Sequence, residues 1–304
     1  MEYKVATIVV TFNRKELLKY CLEAIVKQDY RPKKVYIIDN ASTDGTDVWV
    51  KENGYDGTKN GIDFEYVQLE ENIGGSGGFY SGMKIAHESE EKYDAFWVMD
   101  DDGIPDKKQL EELVKHLDRY DYLSPLVISK EDTTRCAFVD IPVEELKSYA
   151  QDGLIHNAAN PFNGVLFSRK VVDKVGFPVR EMFLWGDEIN YERRCKKAGF
   201  IPAIVIEAIH IHPKDRQQKR NVLGGIIVDV EQDWKLYCVV RNGTFNNRTL
   251  SRFRHFAKEF WLSFIRYTYF YTIKEPSLRK LKMVYCGMVD GAKKDLSRLN
   301  EYKK

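Results

Sequence analysis

The chain of 304 residues lacks the features of a secreted or membrane-spanning protein. No run approaches the roughly 20 apolar residues that a bilayer-crossing helix needs. The opening stretch meets charges too quickly to read as a signal peptide. Cysteine is sparse: Cys21, Cys136, Cys195, Cys238 and Cys286 are an odd number with no CxxC pair. That argues against a zinc site or a disulfide framework, and for reduced thiols in a cytoplasmic compartment. Charge of one sign is lacking too. The 47 Lys and Arg nearly cancel the 46 Asp and Glu, and a net charge of +1 exerts no global pull on nucleic acid. There is no internal repeat, no low-complexity segment and no motif for a nucleophilic Ser or Cys.

What is there alternates. Val5 to Val10 is a short apolar, β-branched run that suits a buried parallel strand. Residues 15 to 28 then space Leu17, Leu18, Cys21, Leu22 and Ile25 as one helix face. Strand patterns recur at Val35 to Asp39, Phe64 to Leu69 and Ala95 to Met99. Helical patterns fall between them, one after Ser42 and Thr43 and one from Tyr80 to Ser89, and another follows at 107 to 120. This succession predicts an α/β fold, a mixed sheet flanked by helices. Ligands of such sheets bind beyond the carboxyl ends of the strands. Three of those ends carry polar clusters: Thr11-Phe12-Asn13-Arg14, Asp39-Asn40 and Asp100-Asp101-Asp102. The expected layout is a catalytic domain over residues 1–230, with a nucleotide-binding half to 120 and an acceptor-binding half from 121. A C-terminal helical region follows over 231–304.

Three consecutive aspartates after a buried strand are costly, because each charge disfavours ionisation of its neighbours. A divalent cation removes that cost, and Mg²⁺ or Mn²⁺ prefers carboxylate oxygens while leaving room for phosphate. In an extended segment Asp100 and Asp102 would face one ion, with Asp101 turned elsewhere. Four glycines within five positions, at Gly74, Gly75, Gly77 and Gly78, would let backbone approach a ligand and offer N–H groups to an anion. His210 and His212 share one face of their strand, where a neutral imidazole could complete a metal shell.

These segments resemble glycosyltransferase family 2, of the GT-A (Rossmann-like) fold. The resemblance is carried by Thr11-Phe12-Asn13-Arg14, Ile38 to Thr46, Trp97 to Asp102, Phe183-Leu184-Trp185-Gly186-Asp187-Glu188 and Glu207 to His212, in the family's order. It spans roughly residues 4 to 245. The glycine-rich string from Asn72 to Phe79 is similar to that of bacterial galactofuranosyltransferases, which use UDP-galactofuranose; related rhamnosyltransferases carry a shorter version.

The resemblance implies an inverting, metal-dependent hexosyl transfer onto a glycan or lipid-linked glycan of a cell-surface polysaccharide. The donor would be UDP-galactofuranose, with dTDP-rhamnose as the alternative. A nucleotidyltransferase is the more distant one, but the lysine- and arginine-bearing glycine loop of that class is missing between Thr11 and Leu17. Asp39 would receive the uracil N–H, and Thr11, Asn13 and Arg14 would line the nucleotide pocket, with Arg14 near the phosphates. Asn72, Gly74, Gly75 and Gly77 would contact the donor, as would Asp100 and Asp101. Asp100, Asp102 and His212 would hold the metal, with His210 as the other histidine. Asp187 would be the base, with Glu188 competing; Trp185 and Asn163 would meet the acceptor.

The tail carries Phe253, Phe256, Phe260, Phe264, Tyr267 and Tyr271 on one helical stripe, with Arg254, Lys258 and Arg266 off it. Residues 248–282 fit either an interfacial helix on an anionic leaflet at the inner face of the cell membrane or packing against protein, a second subunit included. Arg241-Asn242 reads as a family string or as a structural cap.

Overall fold

A computed structural model describes residues 2–139, 141–214 and 217–303. The chain divides into two compact units, residues 1–180 with 191–215, and residues 181–190 with 216–304.

The first unit opens with β1 (Val5–Thr11), α1 (Lys15–Val26), β2 (Lys34–Asp39), α2 (Thr46–Glu52), β3 (Gly57–Lys59), β4 (Ile62–Gln68), α3 (Gly74–Glu88) and β5 (Ala95–Asp100). It continues with β6 (Ile104–Pro105), α4 (Gln109–Val114), β7 (Tyr122–Ser129), α5 (Val143–Lys147), β8 (Leu154–His156), β9 (Val165–Ser168) and α6 (Arg169–Val175). α7 (Asp187–Lys197) and β10 (Ala203–His212) follow. Among the described residues, ten strands form one mixed sheet in the order β3-β4-β2-β1-β5-β9-β7-β10-β6, with β8 also on β10. β4, β2, β1 and β5 run parallel, so Thr11 pairs with Asp39 and Val10 with Asp100. The polar strand ends therefore emerge side by side.

Alternation decides which face each residue buries. Val5, Val9, Val35, Ile37, Trp97 and Met99 join the core beneath α1. Ala6, Ile8, Val10, Tyr36, Ile38, Phe96 and Val98 join the core beneath α3. Both sets are buried, which is why these strands read as continuous apolar runs.

Two spans differ from the sequence expectation. α3 starts at Gly74 rather than near Tyr80, so the glycine-rich string forms helix turns instead of a free loop. The reason is packing. A Cβ on Gly78 would lie 2.5 Å from Val10 Cγ1, and one on Gly82 would lie 2.4 Å from Ile8 Cγ2. A bare backbone lets α3 sit directly on β1 and β2, and tertiary contact overrides the weak helix propensity of glycine. The helix expected over 107–120 is regular only over Gln109–Val114 and goes on as turns.

The second unit holds the hairpin β11 (Gln218–Val222) and β12 (Gly225–Asp229), then α8 (Asp233–Leu250), α9 (Phe253–Tyr269), a π-helical turn Phe270–Lys274 and α10 (Leu278–Lys293). Gly287 and Gly291 of α10 meet backbone of α8, where a Cβ would come within 2.9 Å of Tyr237 O and 2.4 Å of Arg241 O. Most of the aromatic stripe packs inward: Tyr267 and Tyr271 are buried in one cluster together with Phe270, with Phe260 and Phe264 against it. Left outside on α9 are Phe253, Trp261 and Ile265, at 70%, 60% and 50% exposure. Among the described residues no helix is long and apolar enough to cross a membrane.

Gly82→Ala should lower stability by about 1–3 kcal/mol, the usual cost of forcing an extra methyl into a packed interface. A drop in the urea midpoint at unchanged slope is the expected readout; an unchanged midpoint would mean that α3 can move off the sheet.

Candidate active site

The acidic run sits where β5 leaves the sheet. Thr11 Oγ1, at the end of β1, donates to Asp101 Oδ2 at 2.7 Å. Arg14 Nη1 donates to Asp101 Oδ1 and to Asp102 Oδ2, each at 3.0 Å. Asp102 Oδ1 lies 3.1 Å from His212 Nε2, at the end of β10. Asp101 and Asp102 are both buried. Burial raises the Asp101 carboxyl to about 6, against the pull of Arg14 and Thr11. Asp100 is raised well above the usual range by burial and by the charges of Asp102 and Asp101. Arg14, expected near phosphate, thus spends its guanidinium on two aspartates, and Asp101 turns toward Thr11 and Arg14.

The two histidines differ. His212 Nδ1 is 2.6 Å from Pro213 O, a pure acceptor, so Nδ1 carries a proton, and in the neutral ring Nε2 presents its lone pair to Asp102. Two acceptors 3.1 Å apart need a proton or a cation between them. Burial opposes charging His212, but the hydrogen bond to Asp102 and the charges of Asp102 and Asp100 outweigh it and raise its pKa. An octahedral ion with ligands at about 2.1 Å separates adjacent ligands by about 3 Å, so Asp102 and His212 fit a small divalent cation. No three His, Cys, Asp or Glu converge as a complete ligand set among the described residues.

His210 is fully buried, and its Nδ1 lies 2.9 Å from Gln109 Oε1. Gln109 Nε2 in turn donates to Gly164 O at 3.1 Å. Burial pushes His210 down to about 3, so it stays neutral. Its ring fills the space beside Gly103, where a Cβ would fall 2.1 Å from Nε2. Neighbouring Asn163 is buried with its Oδ1 unpartnered.

At the end of β2, Asp39 is fully buried. Its Oδ1 accepts the Ser42 N–H at 2.9 Å, and its Oδ2 accepts the Tyr66 hydroxyl. Asn13, at φ 51°, donates its N–H to Ser42 Oγ and accepts the Thr43 N–H at 2.7 Å. Alongside lies a cavity of about 490 Å³ lined by Ala41, Ser42, Thr43, Gln68, Leu69 and Glu70. At the start of α3, Asn72 Oδ1 accepts the Gly74 N–H at 2.8 Å. Gly75 faces open space, whereas a Cβ on Gly77 would strike Ile73 at 2.6 Å.

The segment before α7 belongs to the second unit. Phe183 and Trp185 adopt φ of 66° and 60°, and Gly186 one of 87°. Left-handed backbone at a bulky residue costs about 1–3 kcal/mol and persists only where surroundings enforce it. Trp185 packs against the helical cluster of its unit. Asp187 is buried at the first turn of α7, where the helix dipole favours a carboxylate. Burial and then the Asp187 charge hold the adjacent Glu188 well above the usual range.

Sequence reading passed over Tyr66 and Gln109. Both lie in ordinary strand or helix patterns, and only the pairing of β4 with β2 and of α4 with β10 brings them in.

A mixed sheet with carboxylates and a histidine at the carboxyl ends of its parallel strands is the architecture of a GT-A glycosyltransferase. Comparison with known proteins agrees. The profile described as Glycosyl transferase family 2 matches residues 7–176. The galactofuranosyltransferase GlfT1 of Mycolicibacterium smegmatis is 32% identical over 234 residues, 73% of this chain and 74% of that protein. The protein of the same name from Mycobacterium tuberculosis is 29% identical over 238 residues, 74% and 75% of the two chains. Among solved structures, S. aureus TarS 1-349 in complex with UDP-GlcNAc aligns with a TM-score of 0.61 at 14% identity, over 98% of this chain and 83% of that one. GalNAc-T7 with UDP, GalNAc and Mn²⁺ aligns at 0.62 and 10%, over 99% and 58%. The chain belongs to glycosyl transferase family 2, and it is a glycosyltransferase.

Arg14→Ala would leave Asp101 and Asp102 without their shared cation. Stability should fall by about 1–3 kcal/mol, less than for a fully enclosed pair because Arg14 is partly exposed. Thermal melting of metal-free protein measures this, and an unchanged Tm would mean that the aspartates are already neutral.

Proposed function

We propose that the protein transfers galactofuranose from UDP-galactofuranose, with inversion and with a divalent metal, to a glycan or lipid-linked glycan. The observation that carries this is the Asp102–His212 pair, held with an imidazole lone pair toward a carboxylate at the carboxyl edge of the sheet. Mg²⁺ or Mn²⁺ bound by Asp102 and His212, with Asp100 as the further proposed ligand, would supply positive charge for the leaving diphosphate. The donor assignment is supported by the two curated relatives, both galactofuranosyltransferases by name.

In this reading Asp39 meets the uracil N–H. Each carboxylate oxygen has two lone pairs, so its bonds from Ser42 and Tyr66 orient it and leave capacity for the base. Thr11, Asn13, Asn72, Gly74 and Gly75 line the donor side. Arg14 acts by fixing Asp101 and Asp102, and Gly77 by clearing space for Ile73. Asp187 removes the proton of the acceptor hydroxyl as that oxygen attacks the anomeric carbon. Burial and the neighbouring charge of Asp187 raise the Glu188 carboxyl, and Asp187 is taken as the base ahead of Glu188. Asn163 and Trp185 face the acceptor, the first through its spare carbonyl oxygen. One displacement suffices, so no side chain forms a covalent intermediate.

The tail then meets the membrane through a face different from the one its aromatic stripe suggested. Phe253, Trp261 and Ile265 share an arc of α9 with the exposed cations Arg254 and Lys258. Such a mixture suits an anionic bilayer surface, where a lipid-linked acceptor would be met at the inner face of the cell membrane.

A donor screen with Mn²⁺, reading nucleotide release, should show turnover with UDP-galactofuranose and its loss in chelator. Turnover with dTDP-rhamnose alone would replace the donor; full activity in chelator would remove the metal. In co-sedimentation the protein should pellet with phosphatidylglycerol vesicles more than with phosphatidylcholine vesicles, and Trp261→Ser with Lys258→Glu should abolish the difference. Equal pelleting with both lipids, or a concentration-dependent dimer that those changes dissolve, would assign the face to protein.

A further inference from the structure

The strained segment that delivers Asp187 is held by one helix through its backbone carbonyls. From α8, Asn242 Nδ2 donates to Met182 O at 2.9 Å, Leu184 O at 3.0 Å and Trp185 O at 2.7 Å. Arg241, fully buried, donates from Nη2 to Met182 O at 2.9 Å and Glu181 O at 3.2 Å. Its Nη1 donates to Leu296 O at 3.0 Å, and its Nε to Asn242 Oδ1 at 3.0 Å. One turn on, Asn246 Nδ2 donates to Gly186 O at 2.8 Å, and its Oδ1 accepts from Asn190 Nδ2 at 2.8 Å. Two neighbouring faces of one helix thus grip the carbonyls of residues 181, 182, 184, 185 and 186.

These bonds are side chain to backbone, so they fix conformation whatever side chains the segment carries. They are also buried: Asn242 and Asn246 are 0% and 2% exposed. Asn242 binds the carbonyls on either side of the turn into left-handed backbone at Trp185. Asn246 binds the carbonyl of Gly186, the last before Asp187, and also Asn190 one turn into α7. A contact at each end of the first turn sets the direction in which that helix, and with it the Asp187 carboxylate, starts. A packing role alone would need none of this, since apolar side chains fill a helix interface without gripping carbonyls.

We infer that Arg241, Asn242 and Asn246 are positioning residues for the catalytic base, so that the C-terminal helical region is part of the catalytic apparatus. The inference rests on the reading of Asp187 as base. Base catalysis needs the carboxylate within hydrogen-bond reach of its proton, and displacements of an ångström cost on the order of a hundredfold in rate.

The test compares Asn246→Ala, Asn246→Asp, Asn242→Ala and Asp187→Asn in the full chain, with kcat and KM for the donor, UDP affinity by calorimetry and thermal melting. Asn246→Asp keeps an acceptor for Asn190 but loses the N–H to Gly186. Both Asn246 variants should lose kcat by on the order of tenfold to a hundredfold at nearly unchanged UDP affinity and donor KM. Asn242→Ala, with four bonds lost, should be worse, and the Asn246 variants decide the matter if it does not fold. The inference fails if Asp187→Asn is inactive while both Asn246 variants keep kcat within about twofold. It fails equally if kcat and UDP affinity fall together with the folded fraction, as a purely structural role would have it. Full activity in Asp187→Asn would remove the base assignment itself, and the positioning role with it.

Discussion

Three carboxyl groups at the end of one buried strand are the constraint around which the rest is arranged. Left alone they repel, and burial makes the repulsion worse. The structure relieves it with the hydroxyl of Thr11, the guanidinium of Arg14 and, when its ring is protonated, the imidazole of His212. Each donor stands at or just past the carboxyl end of a different strand, or at the start of the helix that follows one. The relief is partial. Asp101 and Asp100 stay shifted toward the neutral form, and the Asp102–His212 pair retains an acceptor facing an acceptor. A divalent cation bound there, as proposed, would relieve what repulsion remains.

Around that edge the sheet acts as a ruler. Parallel registry of β1 with β2 and β5 sets Asp39 level with Thr11 and Asp100 level with Val10, one residue short of them. The helix on the donor side lies close because Gly78 and Gly82 leave no side chain in the way. A glycine string that looks like a ligand loop therefore has two uses at once. Its first turn offers backbone N–H groups, and its later residues set a packing distance.

Much of this was legible in the residues, and the exceptions share a cause. β1, β2 and β5 declared themselves because strands buried on both faces are apolar throughout, and the strand ends because polar clusters there have no packing reason to exist. The start of α3 was not legible, since glycine is a poor helix former and only contact with Val10 and Ile8 shows why it is tolerated. The stripe on α9 was read correctly as a stripe, but its inward direction depends on β12 and α10, which a helical wheel does not contain. Tyr66 and Gln109 were silent for the same reason, as each matters through a partner far along the chain. The carbonyl-gripping asparagines were visible as a string, yet their chemistry is directed at backbone, which leaves no signature in the residues they hold.

The grouping of residues 181–190 with 216–304 has a consequence for how such enzymes diversify. The acidic motif is far from the tail in the chain but shares its compact unit. Exchange of residues 216–304 alone between relatives would leave residues 181–190 of one protein to be held by helices of another, and would split this compact unit. Residues 181–190 and 216–304 would therefore have to change together, while residues 191–215 between them, His212 included, stay with the sheet.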